Sequence, residues 1–252
     1  MNLTDLTWVR VDSLNRDTPV VFPIAALEQH GGHMPLFTDS FLLGEVIRRV
    51  SERFSDRVLF APVQWLGNSE HHLDFPGTLS ASPRTYLNLL NELVDNFIFH
   101  GFKRLVFVNG HGGNDVPVRQ AVFEIRQRHR SRNDLLIVAA TYWGLGGEPH
   151  TRHPGLMQRQ MGHACEWETS MMLRIHPHLV GSLAGIAEAP FGEFPSGAAR
   201  GWTTRERARQ GHIGDPRHAT AEKGEALFAT FSDDVSGLLD RVLAWNGESW
   251  DW

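Results

Sequence analysis

Residues 20–40 read VVFPIAALEQHGGHMPLFTDS, and the two halves of this stretch follow different rules. Val20 to Ala25 is a nearly unbroken apolar run, the pattern of a strand buried on both faces of a parallel sheet. The residues behind it carry Glu28, His30, His33 and Asp39, where turn chemistry alone asks for Gly, Asn or Pro. Three more short apolar runs, Val58–Val63, Leu105–Asn109 and Leu135–Tyr142, alternate with segments of helical periodicity. That order predicts an α/β fold with a mainly parallel central sheet covered by helices. Helices are expected through Phe54 from a cap at Asp39 or Ser40, then over Pro83–His100, Val116–His129, Trp167–Ile175 and Ala219–Trp245. In such a sheet ligands gather beyond the carboxyl ends of the strands, so the chemistry should sit in the loops that follow them.

The bulk numbers narrow the partners. A chain of 252 residues with 41% hydrophobic and 21% charged residues fits one domain, spanning 1–252, with a sizeable core. A net charge of -5 leaves no basic footprint for nucleic acid or an anionic membrane. Lys103 and Lys223 are the only lysines, which removes most routes to a Schiff base. The single cysteine, Cys165, rules out an internal disulfide and a cysteine-rich zinc site. With no secretion signal and no membrane-length apolar run, a cytoplasmic location is expected. Residues 177–217 are rich in Gly, Pro and Ala with little periodicity, and read as an ordered loop over the site or part of a subunit contact.

Three clusters carry ligand-type side chains. Glu28 and His30, two apart in an extended segment, fall on one side, and Gly31 and Gly32 let the loop fold back towards Asp39. Taken singly, a solvated Glu28, a turn-filling His30 and a capping Asp39 are the better readings; together, with His33 beside them, they form half a shell for a divalent metal. VNGHGGN puts His111 at another strand end, with Gly110, Gly112 and Gly113 open to a close-approaching ligand. Asp115 stands where a dinucleotide fingerprint needs its third glycine, and no Lys-Ser/Thr pair follows for a phosphate loop. In GHACEWETS, His163 precedes a helix whose first turn holds Glu166 and Glu168, one of which is an ordinary dipole-stabilised carboxylate. His71 and His72 either line the pocket or form a surface pair, and nothing marks a serine or cysteine nucleophile.

In order and separation, PIAALEQHGGHMPLFTD, FPGT, NGHGGN and HACEWETS resemble the creatininase (creatinine amidohydrolase) family over about residues 18–180. The resemblance implies a three-layer α/β/α sandwich, a two-metal hydrolytic site and a homo-oligomer, a hexamer built as a trimer of dimers. It implies metal ligands at Glu28, His30, Asp39, as the bridge, and His111, with Zn2+ and/or Mn2+, or else Fe2+, two per subunit. His163 takes the proton-transfer position. The carboxylate that creatininase carries two residues beyond the His111 position is Gly113 here, and Glu168 is the candidate replacement. Gly32 stands where the family more often has proline. Trp143, Trp167, Gly112 and His33 are the candidate substrate-binding residues, with His33 in an outer layer.

The expected reaction is hydrolysis of a non-peptide C–N bond in a small cyclic amide or formamide, by metal-activated water. The family's formamidopyrimidine deformylases and cofactor-precursor peptidases are the alternatives within this reading. A non-catalytic ligand-binding member, motivated by Gly113, is a second class. A dinucleotide-dependent oxidoreductase rests only on strand and helix order.

Overall fold

The structure is a computed structural model describing residues 1–193, 195 and 197–250. The chain runs α1 (Trp8–Asp12), β1 (Val20–Ile24), α2 (Thr38–Phe54), β2 (Leu59–Phe60), α3 (Pro83–Phe99) and β3 (Arg104–Asn109). It continues through α4 (Asp115–Arg128), β4 (Leu136–Thr141), α5 (Pro149–Arg152), α6 (Glu166–Ile175), α7 (Thr204–Arg207) and α8 (Ala221–Ala244). The strands form one parallel sheet in the order β2-β1-β3-β4.

Alternation along the central strands divides the core into two layers, one on each face. Val20, Phe22, Leu105 and Phe107 pack with Leu90 and Val94 of α3 and Ala121 of α4. Val21, Val106 and Val108 pack with α2, α6 and α8 through Val46, Met171 and Phe231. The result is the expected helix–sheet–helix sandwich. β1 is buried at every residue, whereas β4, on the edge, is half-buried throughout. The predicted strand Val58–Val63 keeps only Leu59–Phe60 as a ladder: Pro62 has no N–H to give, and pairing resumes with Gln64 N–H on Pro23 O.

The long elements lie where the apolar periodicity puts them. Ser82 caps α3 by accepting from Thr85 N–H, with Pro83 at the first helical position. The expected cap of α2 is corrected: Phe37 holds the cap position, Asp39 lies in the first turn, and Ser40 Oγ donates to Ala26 O. Asp39 is thus released from capping and turned inward. Because β2 lies to one side of β1 and β3 to the other, the chain reverses direction across the sheet between β1 and β3. A crevice opens at their carboxyl ends. No helix among the described residues is long and apolar enough to cross a membrane.

Candidate metal centre and its rim

The crevice is floored by buried charge. Leaving β1, Gly31 adopts φ +62°, the left-handed turn that brings the loop back, and Glu28 and His30 end on the floor with Asp39 of α2. The loop after β3 delivers His111, and the first turn of α6 delivers Glu168. His30 Nε2 lies 3.0 Å from Asp39 Oδ1 and 3.9 Å from Glu168 Oε1. His111 Nδ1 lies 3.1 Å from Asp39 Oδ2, and its Nε2 lies 3.2 Å from Glu28 Oε2. Asp39 therefore spans the two imidazoles, one oxygen towards each.

Backbone carbonyls fix where the imidazole protons sit, since a carbonyl oxygen only accepts. His30 Nδ1–H donates to Glu28 O at 3.1 Å, His111 Nε2–H to Asn68 O at 3.0 Å, and His163 Nε2–H to Gln29 O at 2.8 Å. In neutral rings the remaining lone pairs face carboxylates: His30 Nε2 faces Asp39, His111 Nδ1 faces Asp39, and His163 Nδ1 stands 3.7 Å from Glu28 Oε1. Both Glu28 oxygens and Asp39 Oδ2 are buried without a hydrogen-bonding partner among the described residues. A neutral ring would set lone pair against lone pair in a buried site, so each contact calls for a ring proton or a metal cation between nitrogen and carboxylate. Two ligands on one tetrahedral zinc with bonds of about 2.0–2.1 Å stand roughly 3.3 Å apart, close to the nitrogen–oxygen separations found here. Single donor atoms of Glu28, His30 and Asp39, and of His30, His163 and Glu168, come within 4.8 Å of one another. The residues fit a divalent cation.

The electrostatics follow from the same crowding. Burial pushes the Glu28 carboxyl up, but the His111 and His72 imidazoles outweigh it and hold it well below its ordinary value. For His30, burial works downward and Asp39 prevails, raising it to about 9. Burial, with Asp39 and Glu28 adding like charge against the pull of His30, lifts Glu168 to about 7. Burial and the neighbouring His30 and His72 hold His163 well below its ordinary value, a neutral imidazole. Burial pushes the Cys165 thiol up to about 12, which leaves it inert.

Above the floor stands a cavity of about 620 Å³. Gly112 and Trp143 line it, as expected, and so do Glu28, Asp39, His111, His163 and Glu168. His33 and Trp167 do not: this corrects Trp167 as a substrate contact, and His33, expected in an outer layer, takes no direct part in the cavity wall. His33 is buried beneath the floor, its Nε2 3.1 Å from Ala164 O and 3.2 Å from Thr169 Oγ1, and burial with His212 nearby lowers it to about 4. Trp167, one residue from Glu168, is turned about 100° around α6. It packs into the core with its ring centroid 6.3 Å from Phe231. Glu166 is the structural carboxylate of the pair: it accepts from Met157 and Gln158 N–H and from Lys223 Nζ at 2.6 Å.

Other residues enter that sequence patterns left open, as for His72, or did not single out. His72 is buried on the floor, its Nε2 3.2 Å from Glu28 Oε1. Its Nδ1 is reached at 2.8 Å by both Gln29 Nε2 and Thr204 Oγ1. Gln29 is oriented by Gly31 N–H on its Oε1 and also donates to Gly211 O at 2.8 Å. Within 177–217, of which 194 and 196 are not described, Phe191, Arg200, Trp202 and Arg207 line the cavity and form its rim. Arg207 stacks over Trp202 at 4.9 Å and donates to Phe191 O at 2.8 Å.

Comparison with known proteins gives this geometry its place. The creatinine amidohydrolase (Creatininase) family profile matches residues 4–239. The chain belongs to the creatininase family. It is 28% identical over 252 aligned positions to the creatinine amidohydrolase of Pseudomonas putida, covering 94% of each chain. It is 33% identical over 233 positions to the mycofactocin precursor peptide peptidase of Mycolicibacterium smegmatis, covering 90% of this chain and 85% of that one. A solved manganese creatininase superposes with a TM-score of 0.80 at 26% identity, covering 95% of this chain and 97% of its own. As a creatininase-family member the protein is a hydrolase, with the fold that its strand and helix order predicts.

Proposed function

We propose that this creatininase-family enzyme opens a non-peptide C–N bond in a small cyclic amide or formamide, using two divalent cations per chain, zinc or manganese. The observation that carries the reading is the floor itself, where imidazole nitrogens crowd against three buried carboxylates. Glu28, His30, Asp39, His111 and Glu168 would hold the cations, with Asp39 shared between the two. A divalent cation in such a nest supplies Lewis-acid polarisation of a carbonyl and brings the pKa of bound water to near 7.

The chain's own residues do the rest. His163, neutral and with Nδ1 turned to the cavity, takes a proton at that nitrogen from the attacking water and returns it to the departing nitrogen. The Gln29 carbonyl, holding Nε2–H at 2.8 Å, keeps the ring in that tautomer. Trp143 offers a face for a planar ring, and Gly112, with no side chain, leaves the approach to His111 open. The enzyme works in the cytoplasm as a homo-oligomer, for which a hexamer is the family-based expectation.

A peptide substrate is the second reading, favoured by the cavity of about 620 Å³ and by two arginines at its rim, Arg200 and Arg207. Creatinine, a formamidopyrimidine and short peptides, each offered to metal-loaded protein, separate the two. Turnover of a small amide establishes the first and turnover of peptides alone the second. No turnover by folded, metal-loaded protein refutes both.

A further inference from the structure

Five donors hold the proposed cations, with Asp39 shared and one imidazole and two carboxylates at each position. His30, Asp39 and Glu168 surround one position, and His111, Glu28 and the other Asp39 oxygen surround the second. His71 stands in the wall beside the second position. It is half-buried and lines the cavity, and neither ring nitrogen makes a hydrogen bond or ion pair among the described residues. Its ring lies parallel to that of His111, centroids 5.8 Å apart, and Trp202 meets it edge-on at 5.1 Å. One donor atom each of Glu28, His71 and His111 lies within 4.8 Å of the others.

Gly113 makes this approach available. A Cβ there would stand 2.2 Å from Asn68 O, 2.4 Å from His111 Nε2 and 2.8 Å from His71 Cε1. Backbone and both rings would have to withdraw, so any side chain at 113 would push the His71 wall away from the floor. Glycine at 113 and a free imidazole at 71 are two parts of one arrangement.

The geometry points to His71 as a further metal ligand, joining Glu28, His111 and the shared Asp39 oxygen in a cation position of two imidazoles and two carboxylates. This rests on the two-cation reading of the floor. The second imidazole makes this position softer, towards zinc, than the one at Glu168, where a single imidazole with two carboxylates is harder and suits manganese. The two positions therefore differ in preference, the one at His71 for zinc and the one at Glu168 for manganese.

Elemental analysis of the full-length protein, loaded with zinc and dialysed, gives the test. Two equivalents in the parent and one in a folded His71→Ala variant are expected, and His71→Glu should restore the second with its preference moved from zinc towards manganese. Equal metal content in parent and His71→Ala overturns the assignment and leaves the metal-site reading standing. No metal in the reconstituted parent overturns both. Should His71→Ala not fold, carbethoxylation of the unmutated protein, mapped by mass spectrometry, answers the same question. Zinc should shield His71 from the reagent at least tenfold, and equal modification with and without zinc overturns the proposal.

Discussion

The floor and the rim of the cavity are built on opposite plans. Glu28, His30, Asp39 and His111 are all at or below 4% exposure, come from strand ends or a helix's first turn, and touch one another. Trp202 is 38% exposed and, with Arg200, Arg207 and Phe191, comes from a single long segment with one short helix. A floor locked into the sheet has one geometry and serves the reaction, whereas a rim on a long loop can change without disturbing the core and serves selection. Thr204 joins them: it is fully buried at the start of α7, and its hydroxyl lies 2.8 Å from His72, which faces Glu28.

If this division is right, floor substitutions should have the largest effects. Glu28→Gln and Asp39→Asn each remove a charge that the cations require, and both bound metal and turnover should be lost, as read by elemental analysis beside a rate assay. His163→Ala should separate the two readouts, keeping the metal while kcat falls by roughly 10²–10⁴-fold, the usual worth of a positioned acid–base group. Full turnover in that variant would remove His163 from the proton path.

Most of the floor was legible in sequence because its residues sit a few positions from apolar runs that fix where strands end. Glu28 and His30 are four and six residues past Ile24, and His111 two past Asn109. The rim was not, since residues 177–217 carry no period and a Trp or Arg there looks like any surface residue. Trp167 fails for a sharper reason: adjacent residues on a helix point about 100° apart, and Glu168 already faces the site. His72 was ambiguous because its partners, Gln29 and Thr204, are 43 and 132 residues away in sequence.

The link between floor and rim yields the intermediate effect. Thr204→Val keeps the shape and removes the hydroxyl that reaches His72 Nδ1; Thr204 stands one step behind the partner of the ligand Glu28, so metal affinity should weaken by up to about tenfold, the low end for outer partners of a metal ligand. Thr204→Ser should restore it. An unchanged affinity would mean that the rim does not support the floor. Trp202→Ala should raise KM by about tenfold, equivalent to ~1.4 kcal/mol, with kcat little changed. A large fall in kcat instead would break the division, placing Trp202 in the reaction.

The smallest effect is expected behind the floor, where α6 is tied to its neighbours. Glu225 of α8 accepts from Arg49 of α2 at 2.7 Å and from Arg174 of α6 at 2.6 Å. These two guanidiniums, hydrogen-bonded and charged, hold its carboxyl down at about 2. Because the folded value lies below the unfolded one, the stabilisation is complete at neutral pH and is lost as pH falls from about 4.5 towards 2. The Glu225 side chain is 44% exposed, so solvent screens the pair and Glu225→Gln should cost less than about 1 kcal/mol. Urea midpoints of parent and variant should differ slightly at pH 7 and draw together at pH 3, with turnover at pH 7 unchanged. A marked loss of turnover would show that Glu168 depends on how α6 is held from behind, and the floor would then extend through α6 to its outer face.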